Sequence, residues 1–295
     1  MPLLALLILP GLLAALPAGR IVSGPVRAEL GAGPRYPGTA LTLRFHPGPL
    51  SLSPSASAFS QKANFYWADT PTAGAFAYAL LALPLEAKPG PHSLRVDWLE
   101  DGVPRRERIR FKVARRPGKL GTVHLATKAL KAMQALGEER PLLEAAFGSA
   151  EGPPLWRGRF LEPVPSTRVS GAFGAERRYL PGGSRSRHKG LDLAIPLGTP
   201  VVAANDGVVL LAREGLKAYG GLVVISHGYG LCSSYLHLSR VTAREGQVLA
   251  KGEPIGLSGS EGISSGPHLH WELTLRGYPI DPMPWMDKAG LAALK

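Results

Sequence analysis

The 295-residue chain has one cysteine, Cys232, so no intrachain disulfide can brace it. Its neighbours in "HGYGLCSSYLHL" read as a strand, which makes Cys232 a buried strand residue and not a nucleophile. Asn64 and Asn205 are the only asparagines, and glutamine is rare. Few heat-labile amides fit a thermophile, although GC-rich codon bias produces the same composition. Long apolar runs are missing too. The run Leu3 to Leu16 is shorter than the ~20 residues a spanning helix needs, and no other segment could cross a membrane. It reads as the core of a signal peptide, with Ala18 and Gly19 near a cleavage point; an uncleaved anchor is the alternative. Also absent is a basic patch studded with aromatics. The net charge of +12 is spread along the chain, which argues against nucleic acid and leaves an anionic wall polymer or lipid surface as the suitable neighbour.

Glycine and proline are plentiful, at 36 and 28 residues, and favour turns and short strands over long helices. The chain length suggests two domains. After the leader (1–19), residues 20–115 alternate with period two. "ALTLRF" sets Leu41, Leu43 and Phe45 against Thr42 and Arg44, and "FAYAL" does the same with Phe76, Tyr78 and Leu80. In "HSLRVDWLEDGVPRRERIRFKV", Leu94, Val96 and Trp98 form one inward row, and Ile109, Phe111 and Val113 another. Asp101-Gly102 between them is a hairpin signal. Short strands split by Pro/Gly turns predict an Ig-like β-sandwich. Residues 116–155 read as a short helical linker, opened by "RRPGK". One helix ends before Gly137, and a second starts at Pro141 and stops at Gly148. From about Trp156, after the boundary "GSAEGPP", a second β-rich domain runs through 156–295, so the fold class is mainly β.

Five of the eight histidines lie between 188 and 270, in this last domain. In "GPHLHWEL", alternation puts His268, His270 and Glu272 on one sheet face and Leu269, Trp271 and Leu273 on the other. Two imidazoles and a carboxylate on one face are costly to bury unless paired, hydrated or bound to a cation. "RHKGLDLAIPLGTPV" adds His188 and Asp192; Gly190, Ile195 and Pro196 argue against a helix there, and in extended chain residues four apart share a face. His237 ends an apolar strand and could sit at a groove edge, whereas His227 lies in a Gly-flanked turn. A catalytic zinc takes three N or O ligands and keeps one position for water, a set that His188, Asp192 and one of the paired histidines would supply. Zinc lowers the pKa of that water, and the remaining histidines could handle its proton and an oxyanion.

The blocks "HKGLDLA", "YLHLS" and "GPHLHWEL", in this order and within the frame "SGAFGAER" to "YPIDPMPW", resemble the lysostaphin-type (LytM-like) zinc metallopeptidases. The resemblance covers roughly 156–287. It implies a β-rich fold with a narrow groove, and cleavage of peptides in bacterial peptidoglycan. Carried over position by position, it implies His188, Asp192 and His270 as zinc ligands, His268 as general base and His237 as the residue that steadies the oxyanion or orients the water. Cys232, Ser233 and Trp271 depart from the usual pattern without touching this chemistry.

The expected protein is thus an exported, extracytoplasmic zinc endopeptidase acting on peptidoglycan peptides as a monomer, with membrane contact only through an uncleaved leader. The alternative is a non-enzymatic wall-binding or hydrolase-activating regulator on the same fold. A metallopeptidase with a Gly-rich, elastin-like target is a third reading. The domain order further suggests that residues 20–155 could cover the groove.

Overall fold

The computed structural model describes residues 28–30, 35–46, 51–67, 77–118, 120–124, 127–165, 168–181 and 184–287. The expected leader and Phe76 lie outside them. Two four-stranded sheets make up the first part of the described chain. One runs Ala28–Leu30, Ala40–Phe45, Ala77–Ala82, Tyr66–Trp67, and the other Gln61–Asn64, Ser51–Ala58, Gly90–Glu100, Val103–Val113. Their facing sides interdigitate: Leu43, Phe45, Ala79 and Leu81 of one pack on Leu94, Val96, Trp98 and Phe111 of the other. Fully burying a side chain of this size stabilises by about 1.5–3 kcal/mol. Asp101 and Gly102 both take positive φ (54° and 73°), the geometry that lets a two-residue turn follow the twist of the strands it joins.

Strand Ala77–Ala82 departs from the predicted pattern. Ala77, Ala79 and Leu81 face the sandwich core, while Leu80 and Ala82 belong to the core of the C-terminal part. Tyr78 likewise meets the ring of Tyr229. Both faces of this strand are covered, so the row chosen from alternation is the one that meets the other half of the molecule.

The segment expected to be a helical linker opens with a strand, Leu120–His124, paired parallel with Glu176–Leu180. Helix α1 spans Thr127–Met133 and helix α2 Leu136–Gly148. Pro141 lies inside α2 and does not open it. An interior proline costs about 3 kcal/mol. The turn ahead of it is held by tertiary bonds from Glu139, which local sequence signals do not reveal. Nor is "RRPGK" a free tether: Arg116 Nε donates to the Pro37 carbonyl, its Nη2 pairs with Asp281 at 2.9 Å, and its guanidinium lies over the Phe173 ring.

The C-terminal part is built on an eight-stranded sheet. Its order is Val169–Gly171, Leu191–Leu193, Leu269–Leu275, Leu231–Leu238, Gly220–Ser226, Gly207–Leu216, Val248–Leu249, with Tyr278–Ile280 flanking Leu269–Leu275. One face carries Leu269, Trp271, Leu273 and Tyr235 into the main core. On the other, Leu143 and Ala146 of α2, with Ala150 just beyond it, cover Cys232 and Leu236. Cys232 is accordingly buried, and burial pushes its thiol up to about 12. No described helix is long and apolar enough to cross a membrane.

Candidate metal centre

Antiparallel pairing sets Asp192 directly opposite His270 and Leu236 on its other side, so the site lies on the sheet face that α2 shares. Strand alternation aims His270 and Glu272 to this face while Leu269 and Trp271 anchor the strand from behind, as the sequence pattern predicts. His188 precedes strand Leu191–Leu193 in extended chain and reaches the same point. Its Nε2 is 3.0 Å from Asp192 Oδ1 and 3.0 Å from His270 Nδ1, and His270 Nδ1 is 2.7 Å from Asp192 Oδ1.

The outer nitrogens are already committed. His188 Nδ1–H donates to the Ala172 carbonyl at 2.9 Å, and His270 Nε2–H to Glu272 at 2.8 Å. One imidazole therefore offers Nε2 and the other Nδ1. A proton on His270 Nδ1 can point at either Asp192 or His188 Nε2, leaving the other without it. A cation would satisfy all three, and these are the described residues whose ligand atoms could hold a metal ion. The triangle of 2.7–3.0 Å edges is slightly tighter than the ~3.3 Å that tetrahedral ligands at ~2.0 Å would span. The donor set fits a metal.

Electrostatics agree. Burial opposes charge on Asp192, yet hydrogen bonds from His188 and His270 hold its carboxyl well below the usual range. Burial would likewise lower His270, but its bonds to Asp192 and Glu272 raise it to about 9. Burial keeps His188, His268 and His237 below the ordinary imidazole value, His237 at about 3, so each presents a lone pair at neutral pH.

His268 Nδ1–H donates to the Gly266 carbonyl at 2.7 Å, which turns Nε2 toward the cluster, 3.6 Å from Asp192 Oδ1. His237 gets there by breaking the strand's alternation. By period two it would share the core face with Tyr235. Instead φ is +64°, and the register slips between Gly221 and Val223, so the chain advances three positions from Tyr235 to Leu238 against two on the neighbouring strand. Such a bulge re-aims a side chain. The His237 ring lies 4.9 Å from that of His268 and 5.9 Å from that of His270, and its Nδ1–H donates to the Glu261 carbonyl at 2.7 Å, leaving Nε2 to face the site.

All five predicted site residues meet here. His227 does not: it is fully buried between the Asp206 carbonyl and Ser233 Oγ, which in turn donates to Tyr235. Two participants had no role assigned from sequence. Glu272 braces His270, and Arg177 pairs with the second oxygen of Asp192. Glu272 lies on the predicted sheet face two residues from His270, the spacing that signals a brace. Arg177 lies in the "GAER" block but reaches Asp192 only through the hairpin of Glu176–Leu180 and Arg185–Arg187. A cleft of about 860 Å³ opens over the cluster, walled by Arg177 and Tyr179 of this hairpin, Tyr219, and Leu136 and Arg140 of α2.

Residues 186–282 match the profile of peptidase family M23. This part of the chain is an M23 peptidase domain. Over 141 residues the chain is 40% identical to the peptidoglycan DD-endopeptidase ShyA of Vibrio cholerae, a stretch that covers 48% of this chain and 33% of that protein. It is 41% identical over 145 residues to the DD-carboxypeptidase/endopeptidase Mpg of Neisseria meningitidis, covering 46% and 33% of the two. The match spans about a third of the length of these curated relatives. A crystal structure named for peptidase M23 from Pseudomonas aeruginosa superposes with TM-score 0.61 at 26% identity, covering 85% of this chain and 94% of its own. Similarity to a solved structure thus extends well beyond the M23 domain, into the sandwich and linker.

Proposed function

We propose that the chain is an exported zinc metalloendopeptidase that hydrolyses peptide bonds in bacterial peptidoglycan. In this reading 1–19 is a leader, 20–115 a sandwich, 116–155 a linker and 156–295 the catalytic domain. The observation that carries it is the convergence of His188 Nε2, Asp192 Oδ1 and His270 Nδ1 in a cleft beside two further neutral histidines. The peptidoglycan-cleaving names of the relatives support the substrate.

His188, Asp192 and His270 would hold the zinc, oriented by the Ala172 carbonyl, Arg177 and Glu272. Bound zinc supplies Lewis acidity, which makes water a better nucleophile and polarises the scissile carbonyl. His268 Nε2 takes the proton from the attacking water and returns it to the leaving amine. His237, with Nδ1–H on the Glu261 carbonyl and Nε2 unprotonated, accepts a hydrogen bond from the attacking water and orients it. The net charge of +12 suits an anionic wall.

The test is digestion of purified sacculi by the zinc-loaded chain, with fragments identified by mass spectrometry. His270→Ala should lose both zinc and activity, and His268→Ala only activity. Intact sacculi together with a purified chain that holds no stoichiometric zinc would favour the non-enzymatic regulator, and a digesting His270→Ala protein would refute the ligand set.

A further inference from the structure

The M23 match begins at residue 186, yet a side chain 47 positions earlier is built into the site. Glu139 of α2 is buried. Its Oε1 accepts the Lys217 N–H at 2.6 Å, and its Oε2 accepts those of Ala218 at 3.0 Å and Tyr219 at 3.4 Å. Consecutive N–H groups of a turn form a concavity that needs an acceptor, and here the carboxyl group of a helix supplies it. Removing it would leave the buried Ala218 donor unpaired and free the two N–H groups on either side of it.

The turn it holds is not remote from the chemistry. The Tyr219 carbonyl accepts the His237 backbone N–H at 2.9 Å, and the Ala218 carbonyl accepts that of Ile263 at 2.9 Å. The 261–263 loop then returns the Glu261 carbonyl to His237 Nδ1 at 2.7 Å. Glycines lock the two loops together. A Cβ on Gly262 would lie 2.4 Å from the Ala218 carbonyl oxygen, and one on Gly220 would lie 2.6 Å from Glu261 Cβ. Both hydrogen bonds that fix His237 in its positive-φ conformation therefore run to loops that rest on Glu139.

We infer that Glu139 is a positioning residue for His237, so that the helix ahead of the M23 domain completes the catalytic centre instead of merely tethering it. The inference rests on the hydrolase reading for its kinetic consequence but not for its structural one.

The experiment uses the full chain and Glu139→Ala and Glu139→Gln variants. Backbone amide exchange at His237 and Tyr219, followed by NMR, should quicken about tenfold or more in Glu139→Ala, while Leu273 in the neighbouring strand stays protected. On peptidoglycan fragments kcat should fall about tenfold, with KM and zinc content unchanged. Glu139→Gln keeps one carbonyl acceptor and should recover part of both effects. Unchanged His237 exchange in Glu139→Ala, or a full kcat despite a lowered Tm, would overturn the inference. If Glu139→Ala does not fold, Glu139→Gln carries the same two readouts: wild-type values for both overturn it, and intermediate losses support it. Wild-type protein that is inert on peptidoglycan would sink the hydrolase reading alone, because the exchange measurement decides the positioning role without it.

Discussion

At the scale of single residues, the histidines divide by what their second nitrogen does. His188, His268 and His237 each give Nδ1–H to a backbone carbonyl and turn Nε2 to the cleft, whereas His270 gives Nε2–H to Glu272. Replacing His237 with alanine should leave zinc bound and lower kcat about a hundredfold, as read by metal analysis and fragment release. Glu272→Gln keeps a side-chain acceptor but removes the negative charge. Zinc affinity should fall about tenfold or more in a chelator competition, since such outer partners set the orientation and basicity of a ligand. His227 makes a different prediction. Burial lowers it to about 4, from the ordinary imidazole value of 6.5, so the unfolded chain binds the extra proton first. Its contribution to stability is complete above pH 6.5 and is lost as pH falls toward 4, about 3 kcal/mol in all. Urea unfolding at pH 7 and pH 4.5 should show a shallower loss in His227→Asn than in the wild-type chain.

At the scale of elements, the site depends on strands that approach too closely for ordinary side chains. Gly171 sits beside Asp192 in the pairing of Val169–Gly171 with Leu191–Leu193. A Cβ there would lie 2.2 Å from Arg177 Nη2 and 2.3 Å from Asp192 Oδ2. Gly171→Ala should therefore split this ion pair. The expected result is weaker metal binding together with a lower Tm, measured by chelator competition and by thermal unfolding. The strand face, the hairpin at Asp101-Gly102 and the inward row Leu94, Val96, Trp98 are all legible in sequence, because period two is a local property. The bulge that re-aims His237 is not, since it exists only as a mismatch between two paired strands. Nor is the start of α2 five residues before Pro141, which depends on what Glu139 meets.

At the scale of the whole molecule, the sandwich and the M23 domain share a core. Tyr229 Oη accepts the Leu80 N–H at 3.0 Å and donates to the Asn64 carbonyl at 2.8 Å. Arg276 lies over the Tyr229 ring and donates to the Leu80 carbonyl, and Tyr66 packs edge-on against Tyr229. Leu80 and Ala82 sit among the side chains of the peptidase core. Heating should thus produce one calorimetric transition and not two. Tyr229→Phe leaves the Leu80 donor without its partner, and should lower stability by about 1–3 kcal/mol without separating the transitions. A clear second transition in the wild-type chain would show that the docked halves unfold independently.

The sequence by itself determined the β class, the sheet face of "GPHLHWEL" and the residue types that could hold a metal, because these follow from local period and from the chemistry each side chain can do. Tertiary structure decided the rest: which nitrogen of each histidine faces the cleft, that Arg177 and Glu272 hold Asp192 and His270, and that Glu139 reaches the turn beside His237. Each of these is fixed by a partner tens of residues away or by a pairing register, and neither is written in the neighbours of the residue it constrains.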